Sequence, residues 1–345
     1  MGFGLAEVTM AAASELTLST GTTPTTPAAG QVGFYFDSAA AAPGAKLIDS
    51  AGTQYTLAAG TPYGQTNEFR LTGVSATPIM TTDSTSLSTI YLTPYKGQRI
   101  ALYNGSTWDL ISSAEVSLAV TGRTTDLPFD IFAYSNLGTV TLEFLDWSNS
   151  TTRATALVRQ DGVWCKTGSL TRRYVGTCRA RSATTFHWVR AGVDLPCKFD
   201  LFNMNNRVSQ SYILTATTNT WDYTLATWRQ AQGNANYQIE ITAGLQEEEL
   251  SVALIVVSRN SSISIDRYVG IGFDATTAFT GVTGTCTNTG VGQNASQVAR
   301  LDHQPTVGRH YYAWLEKSVA SGTCTWVGDD GGLLLQSGMT GTWTC

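Results

Sequence analysis

Runs of alternating apolar and polar residues, rich in β-branched and aromatic side chains and broken by Asx-Gly pairs, restrict this chain more than any other feature. Period-two alternation puts every second side chain on one face of an extended strand, which makes half-buried sheet rather than helix. TVTLEFLDW (139–147), FDLFNMNNRV (199–208), YQIEIT (237–242), RYVGIGF (267–273) and HYYAWLEK (310–317) carry the pattern. SVALIVVS (251–258) is more continuously apolar and is expected to be buried on both faces. A type I′ hairpin turn needs positive φ at both central positions, which Asn-Gly and Asp-Gly tolerate. Asn104 with Gly105 in RIALYNGSTWDLIS, Asp161 with Gly162 after TRATALVRQ, and Asp330 with Gly331 between TCTWV and LLLQ are therefore expected to close antiparallel hairpins. The best helical candidate, LATWRQAQ (225–232), is short and stops at Gly233.

The expected fold class is all-β. An extended N-terminal arm (1–30), containing TTPTTP, leads into a small two- or three-stranded β unit (31–76). A β-hairpin domain (77–122) follows, and then an antiparallel β-sandwich or jelly roll (123–345) of roughly ten strands. With 345 residues there is apolar material enough for a core without any cofactor. Charged residues make up only 14% of the chain, Gly (33) and hydroxyl residues taking their place, and the formal net charge is −5 with no basic tract. These values argue against a nucleic-acid partner. No apolar run approaches the length of a membrane span, so no membrane insertion is expected. The N-terminus carries no Lys or Arg before Lys46, so classical export is not expected either.

The stretch DGVWCKTGSLTRRYVGTC (161–178) has the best claim to chemistry, with two cysteines among basic residues. A turn at Thr167, Gly168 and Ser169 sets Cys165 opposite about Thr171 and leaves Cys178 several residues farther along, at ~3.3 Å per residue. That exceeds disulfide reach, so the two are expected not to bridge each other. Cys178 with Cys197, and Cys286 with Cys324, are the better structural pairings; Cys165 and Cys345 complete the six, and any of them could instead bridge to another copy of the chain. No CxxC occurs and His187, His303 and His310 lack ligand-spaced neighbours, so no metal site is expected. The carboxylates that could serve a glycosidase, Glu143 with Asp146 or Asp329 with Asp330, read as strand edge and turn, and Glu247, Glu248 and Glu249 as a solvated loop. No catalytic residue is therefore assigned. Among nine Trp, those near loops (Trp188, Trp221, Trp228 and Trp343) are the candidates for stacking on a surface glycan.

The segments YLTPYKGQRIALYNGSTWDLISSAEVSLAV, FDIFAYSNLGTVTLEFLDWSNSTTRATALVRQDGVW, TRRYVGTCRA and FDLFNMNNRV resemble a module of virion structural proteins of tailed bacteriophages. The upstream TTPTTPAAGQVGFYFDSAAAAPGAKLIDSAGTQYTL resembles the small β repeats near the attachment end of phage fibres. The resemblance implies a projecting, trimeric fibre or spike exposed on the virion. It would be docked on capsid, neck or tail through residues 1–30 and engaged in host attachment. A capsid decoration protein without a receptor role, or a spike degrading capsular polysaccharide, are the alternatives. Cys165 and Cys178 depart from the pattern, standing where such modules carry small or aliphatic residues.

Overall fold

The computed structural model describes residues 26, 29, 33–37, 44–56, 64–332 and 335–345. The chain divides into two compact units, residues 1–63 and 64–345. In the first, strands Gly33–Asp37, Gly44–Ile48 and Gln54–Thr56 form a three-stranded antiparallel sheet, within the range expected of the small β unit. The Asp49 carboxylate accepts the Ala51 and Thr53 amides and shapes the turn between the last two strands. Nearly all of the expected arm, residues 1–30, lies outside the described residues.

The second unit is all-β. A six-stranded sheet has the order Thr139–Asp146, Pro128–Asn136, Ser169–Arg179, Val163–Lys166 and Leu157–Gln160, with Leu201–Asn203 also on Ser169–Arg179. A large sheet runs through Ser209–Thr215, Gly338–Thr344, Leu250–Asn260, Ala295–His303, Thr280–Thr287, Asp266–Phe273, Gly308–Ser318, Gln238–Ala243, Cys197–Phe199 and Phe186–Val189. All but two of its pairings are antiparallel; Ala191–Val193 on Ser209–Thr215 and Cys197–Phe199 on Gln238–Ala243 run parallel. Alternation selects the buried faces: in Ala295–His303, Gln297, Ala299 and Leu301 point inward while Ser296, Val298 and Arg300 point out. One buried apolar cluster spans both sheets, from Phe69 and Ile100 through Phe132 and Tyr174 to Trp188, Trp314 and Trp343.

The expected boundary at 76/77 does not coincide with the division at 63/64. Strand Phe69–Thr72, buried throughout, pairs with Thr89–Pro94, and its other edge is satisfied by side chains from 203–206. Asn203 donates to the Leu71 carbonyl and accepts the Leu71 amide at 2.6 Å, and Asn206 donates to the carbonyls of Asn67 and Phe69. Arg173, fully buried, donates to the carbonyls of Gly64, Thr66 and Ala101. Burial lowers its pKa to about 10, against the pull of Cys165. Residues 64–122 therefore share the core of the rest.

The turns differ in detail. Asp161 and Gly162 (φ 48° and 83°) join Gln160 to Val163 as a two-residue hairpin. The Asn104 hairpin forms, but Tyr103 pairs with Trp108, leaving a four-residue loop in which the Asn104 carboxamide oxygen accepts the Ser106 and Thr107 amides. Asp330 and Gly331 have positive φ, and Cys324–Val327 pairs with Thr220–Asp222 on one edge and Leu250–Asn260 on the other; the expected partner run LLLQ lies partly outside the described residues, at 333–334. The best helical candidate, 225–232, forms no α-helix. Arg229 and Gln230 pair in register with Glu316 and Leu315, and only a 3-10 turn, Ala231–Gly233, follows, so long-range pairing overrides local propensity. The strand holding SVALIVVS, Leu250–Asn260, buries Val252, Leu254 and Val256 but leaves Ile255 exposed, so it is one-sided over most of its length.

The two sheets are tied by a buried ion cluster. Glu240 Oε2 on the Gln238–Ala243 strand accepts Arg179 Nη1 (2.6 Å), Arg181 Nη1 (2.8 Å) and Arg309 Nη2 (3.1 Å). Arg181 also forks onto Asp200, which is 1% exposed. Burial alone would raise the Glu240 pKa; Arg181, Arg179 and Arg309 together hold it well below the usual carboxylate range. Glu240→Ala should cost about 3–5 kcal/mol in chemical denaturation, because it removes the acceptor that three guanidiniums share, leaving Arg179 only Asp126 and Arg181 only Asp200. Since the folded pKa is depressed, the contribution is complete above the unfolded value of 4.5 and is lost as pH falls below it. The wild-type advantage should shrink on acidification.

Candidate functional site

The cross-strand pair of Tyr268 and Lys317 places two large side chains side by side on the outer face of strands Asp266–Phe273 and Gly308–Ser318. Trp228 arrives one residue before the Arg229–Gln230 strand, whose register against Glu316 and Leu315 carries it next to Lys317. Its ring lies 5.3 Å from Phe279 and 6.5 Å from Tyr268, at 54° and 64°. Lys317 Nζ sits 5.8 Å above the Trp228 ring and 5.7 Å above Tyr268, within cation–π range. Gly270 supplies the floor: a Cβ there would lie 2.9 Å from Phe279 Cβ and 3.4 Å from the Trp228 ring. Phe279 remains 46% exposed and Trp228 half-buried. At the edge, the Tyr268 hydroxyl donates to Asp266 Oδ2 (3.3 Å) and the Thr287 hydroxyl donates to Asp266 Oδ1. The result is an aromatic face flanked by a cation, a carboxylate and hydroxyls.

Beneath it Arg229 and Trp221 Nε1 hold the fully buried Glu316, at 2.8 and 2.7 Å, with the Gln232 amide at 3.1 Å. Burial pushes the Glu316 carboxyl up to about 7 against the pull of Arg229 and Trp221.

The other tryptophans proposed for stacking are unavailable. Trp188 (1% exposed) packs edge-on against Phe199, Trp343 is fully buried across from Gln210 and Leu250, and Trp221 packs between Tyr237 and Trp314. Their strands face the core, a register that spacing from loops does not reveal. Only Trp228 of the four lies at the surface, and its partners Tyr268, Phe279 and Lys317 were not legible as a group.

All six cysteines are free thiols. A β-bulge after Cys165 sets it across from Arg173, not Thr171, still five residues short of Cys178. The Cys178–Cys197 pairing is not made: Cys178 lies across from Phe129 and Leu201, while the Cys197 thiol faces the carbonyls of Arg190 and Ile213. Burial pushes the Cys165 thiol up to about 11 and those of Cys197, Cys324 and Cys345 to about 12, and holds Cys178 well above the ordinary thiol value. Cys286 and Cys324 are not bonded to each other.

Three of the four carboxylates weighed for glycoside chemistry are engaged in other contacts. Glu143 pairs with Arg172 and Lys166, Asp146 with Arg123, and Asp329 accepts the Gly331 amide within its turn. Glu247 and Glu248 both pair with Arg207. Among the described residues no three His, Cys, Asp or Glu side chains gather as a metal site, and no helix is long and apolar enough to cross a membrane. His310 Nδ1 faces Asp274, His303 Nδ1 faces the Tyr312 hydroxyl, and His187 lies beside Lys198.

No protein-family model and no curated protein matches the chain. Among solved structures it is similar to a structure of infectious bursal disease virus, Gx strain, at 12% identity and TM-score 0.26, covering 78% of this chain and 72% of that one. It is also similar to the tryptic core of Cry1Da from Bacillus thuringiensis, at 6% identity and TM-score 0.19, covering 74% of this chain and about half (48%) of that one. A glycoside hydrolase family 43 arabinoxylan arabinofuranohydrolase from Bacillus subtilis stands at 11% identity and TM-score 0.18, with 83% and 73% covered. At these values none bears on function.

Glu316 yields a sign-specific expectation. Between its unfolded value of 4.5 and about 7 the folded chain holds a proton that the unfolded chain has released, so this group's contribution falls as pH rises through that window. Urea midpoints measured from pH 5 to 8 should decline more steeply for wild type than for Glu316→Gln. Parallel slopes would refute the assignment.

Proposed function

We propose that the chain is a structural and recognition component of a virion exterior, and that it binds a host-surface glycan on the Trp228 face. The observation that carries this reading is the half-open aromatic cluster of Trp228, Phe279 and Tyr268 rimmed by Lys317, Asp266 and Thr287. Sugars stack their C–H faces on rings and exchange hydrogen bonds through hydroxyls, and a low-charge rigid sheet holds such a face in place. The resemblance to tailed-phage structural modules points to the same role. Trp228→Ala should weaken binding to host polysaccharide at least about tenfold, on the order of the energy of one stacked ring. Its unfolding midpoint should stay close to wild type, because the ring is half-exposed. Equal binding by wild type and variant, or release of reducing ends from the polysaccharide, would refute the reading.

The same proposal includes self-association as a trimer. In the row Thr215, Gly338, Ile255, Val298, each residue pairs with the next across four strands, and Ile213 and Val282 flank it. Ile213 (51%) and Val298 (56%) stand exposed on this low-charge face, whose nearby Arg300 is paired to Asp302. An exposed apolar face of this kind suits a symmetric contact. Light scattering after size-exclusion chromatography should report a trimer, and Ile255→Lys should reduce it to monomer. A wild-type monomer at micromolar concentration would exclude the trimer.

A further inference from the structure

Arg267 is fully buried, yet among the described residues it makes no ion pair. Its register places it between Cys286 on one neighbouring strand and Ser318 on the other. Nη2 donates to Cys286 Sγ at 3.0 Å, Nη1 to Asn288 Oδ1 at 3.3 Å, and Nε has no partner. Gln297, 2% exposed, aims a second donor at the same sulfur: Nε2 lies 2.6 Å from Cys286 Sγ and also 2.8 Å from Ser258 Oγ, while its Oε1 is unpartnered. A desolvated guanidinium without a carboxylate is costly, and the acceptors it has here are the Cys286 sulfur and the Asn288 carboxamide oxygen. Cys286 is also the one cysteine of the six that is not fully buried.

We propose that Cys286 is a modification site that undergoes thiol–disulfide exchange with a small external disulfide, Arg267 and Gln297 being its positioning residues. Cys286 releases its proton to solvent and its sulfur attacks one sulfur of the small disulfide. A new S–S bond forms as the old one breaks, and the second half leaves as a thiolate. Cys286 is oxidised and the external disulfide reduced. The reaction stops at the mixed disulfide, because the neighbouring Cys324 thiol is buried and pushed up to about 12, which leaves it a poor resolving nucleophile.

The test uses the full chain, folded, with oxidised glutathione, followed by non-reducing peptide mapping. One glutathione should appear on Cys286 and none on the other five cysteines. Cys286 in the folded chain should react at least tenfold faster than the same cysteine in urea, an acceleration that exposure alone cannot supply. Gln297→Met, and Arg267→Met if it folds, should remove that acceleration. The proposal is overturned by equal or faster reaction of another cysteine, by a folded rate at or below the unfolded one, or by loss of both Cys286 and Cys324 thiols without retained glutathione. An unchanged rate in Gln297→Met also overturns it.

Discussion

Three guanidiniums converging on one carboxylate oxygen of Glu240 set the relation between the two main sheets. Arg179 ends a strand of the six-stranded sheet, Arg181 follows it, and Glu240 and Arg309 belong to neighbouring strands of the large one. Apolar faces alone slide past one another at little cost, since hydrophobic burial is non-directional. A desolvated ion cluster has no equivalent register in which all its donors are satisfied, so it selects one. The cluster also splits FDLFNMNNRV into two short strands: Asp200 is drawn inward to accept Arg181 and the His187 amide.

The same device recurs, and it explains the composition. Arg153 donates to Asp130 and to the Gly244 carbonyl, Arg173 gathers three carbonyls of residues 64–101, and Arg70 reaches the carbonyls of Asn206 and Cys345. A chain with few charges thus places many of its arginines in the interior, where planar, many-donor groups bind backbone that no strand pairs. The row through Ile255 carries no charge of its own, being made of Thr215, Gly338, Ile255 and Val298.

What was legible in the sequence was local. Strand runs and the Asp161 turn follow from period-two alternation and from the φ that Asp-Gly accepts, and both operate within a few residues. The 225–232 segment shows where local reasoning fails: its composition suits a helix, but Arg229 is committed to Glu316 and Gln230 to Leu315, 87 and 85 positions away by residue number. Burial of Trp188 and Trp343, and exposure of Trp228, likewise depend on which strand each pairs with. The signal that could have found the aromatic face was Gly270 inside RYVGIGF. A glycine in an otherwise bulky strand marks a close approach, here by Trp228 and Phe279.

The strand Asp266–Phe273 joins the two proposed sites by parity alone. Arg267 and Val269 point inward, Tyr268 outward, and Gly270 shares the outward parity of Tyr268. The inward set fixes Arg267 against Cys286 and Gln297; the outward set carries the aromatic face, with the missing Cβ at 270 admitting the Trp228 ring. A one-residue slip of this strand would bring a tyrosine into the polar interior and a guanidinium under Trp228, disrupting both faces at once. Register is therefore specified from two sides, by a desolvated charge that needs its acceptors and by a ring that needs a gap. The surface face can stay open because the interior holds the strand in place.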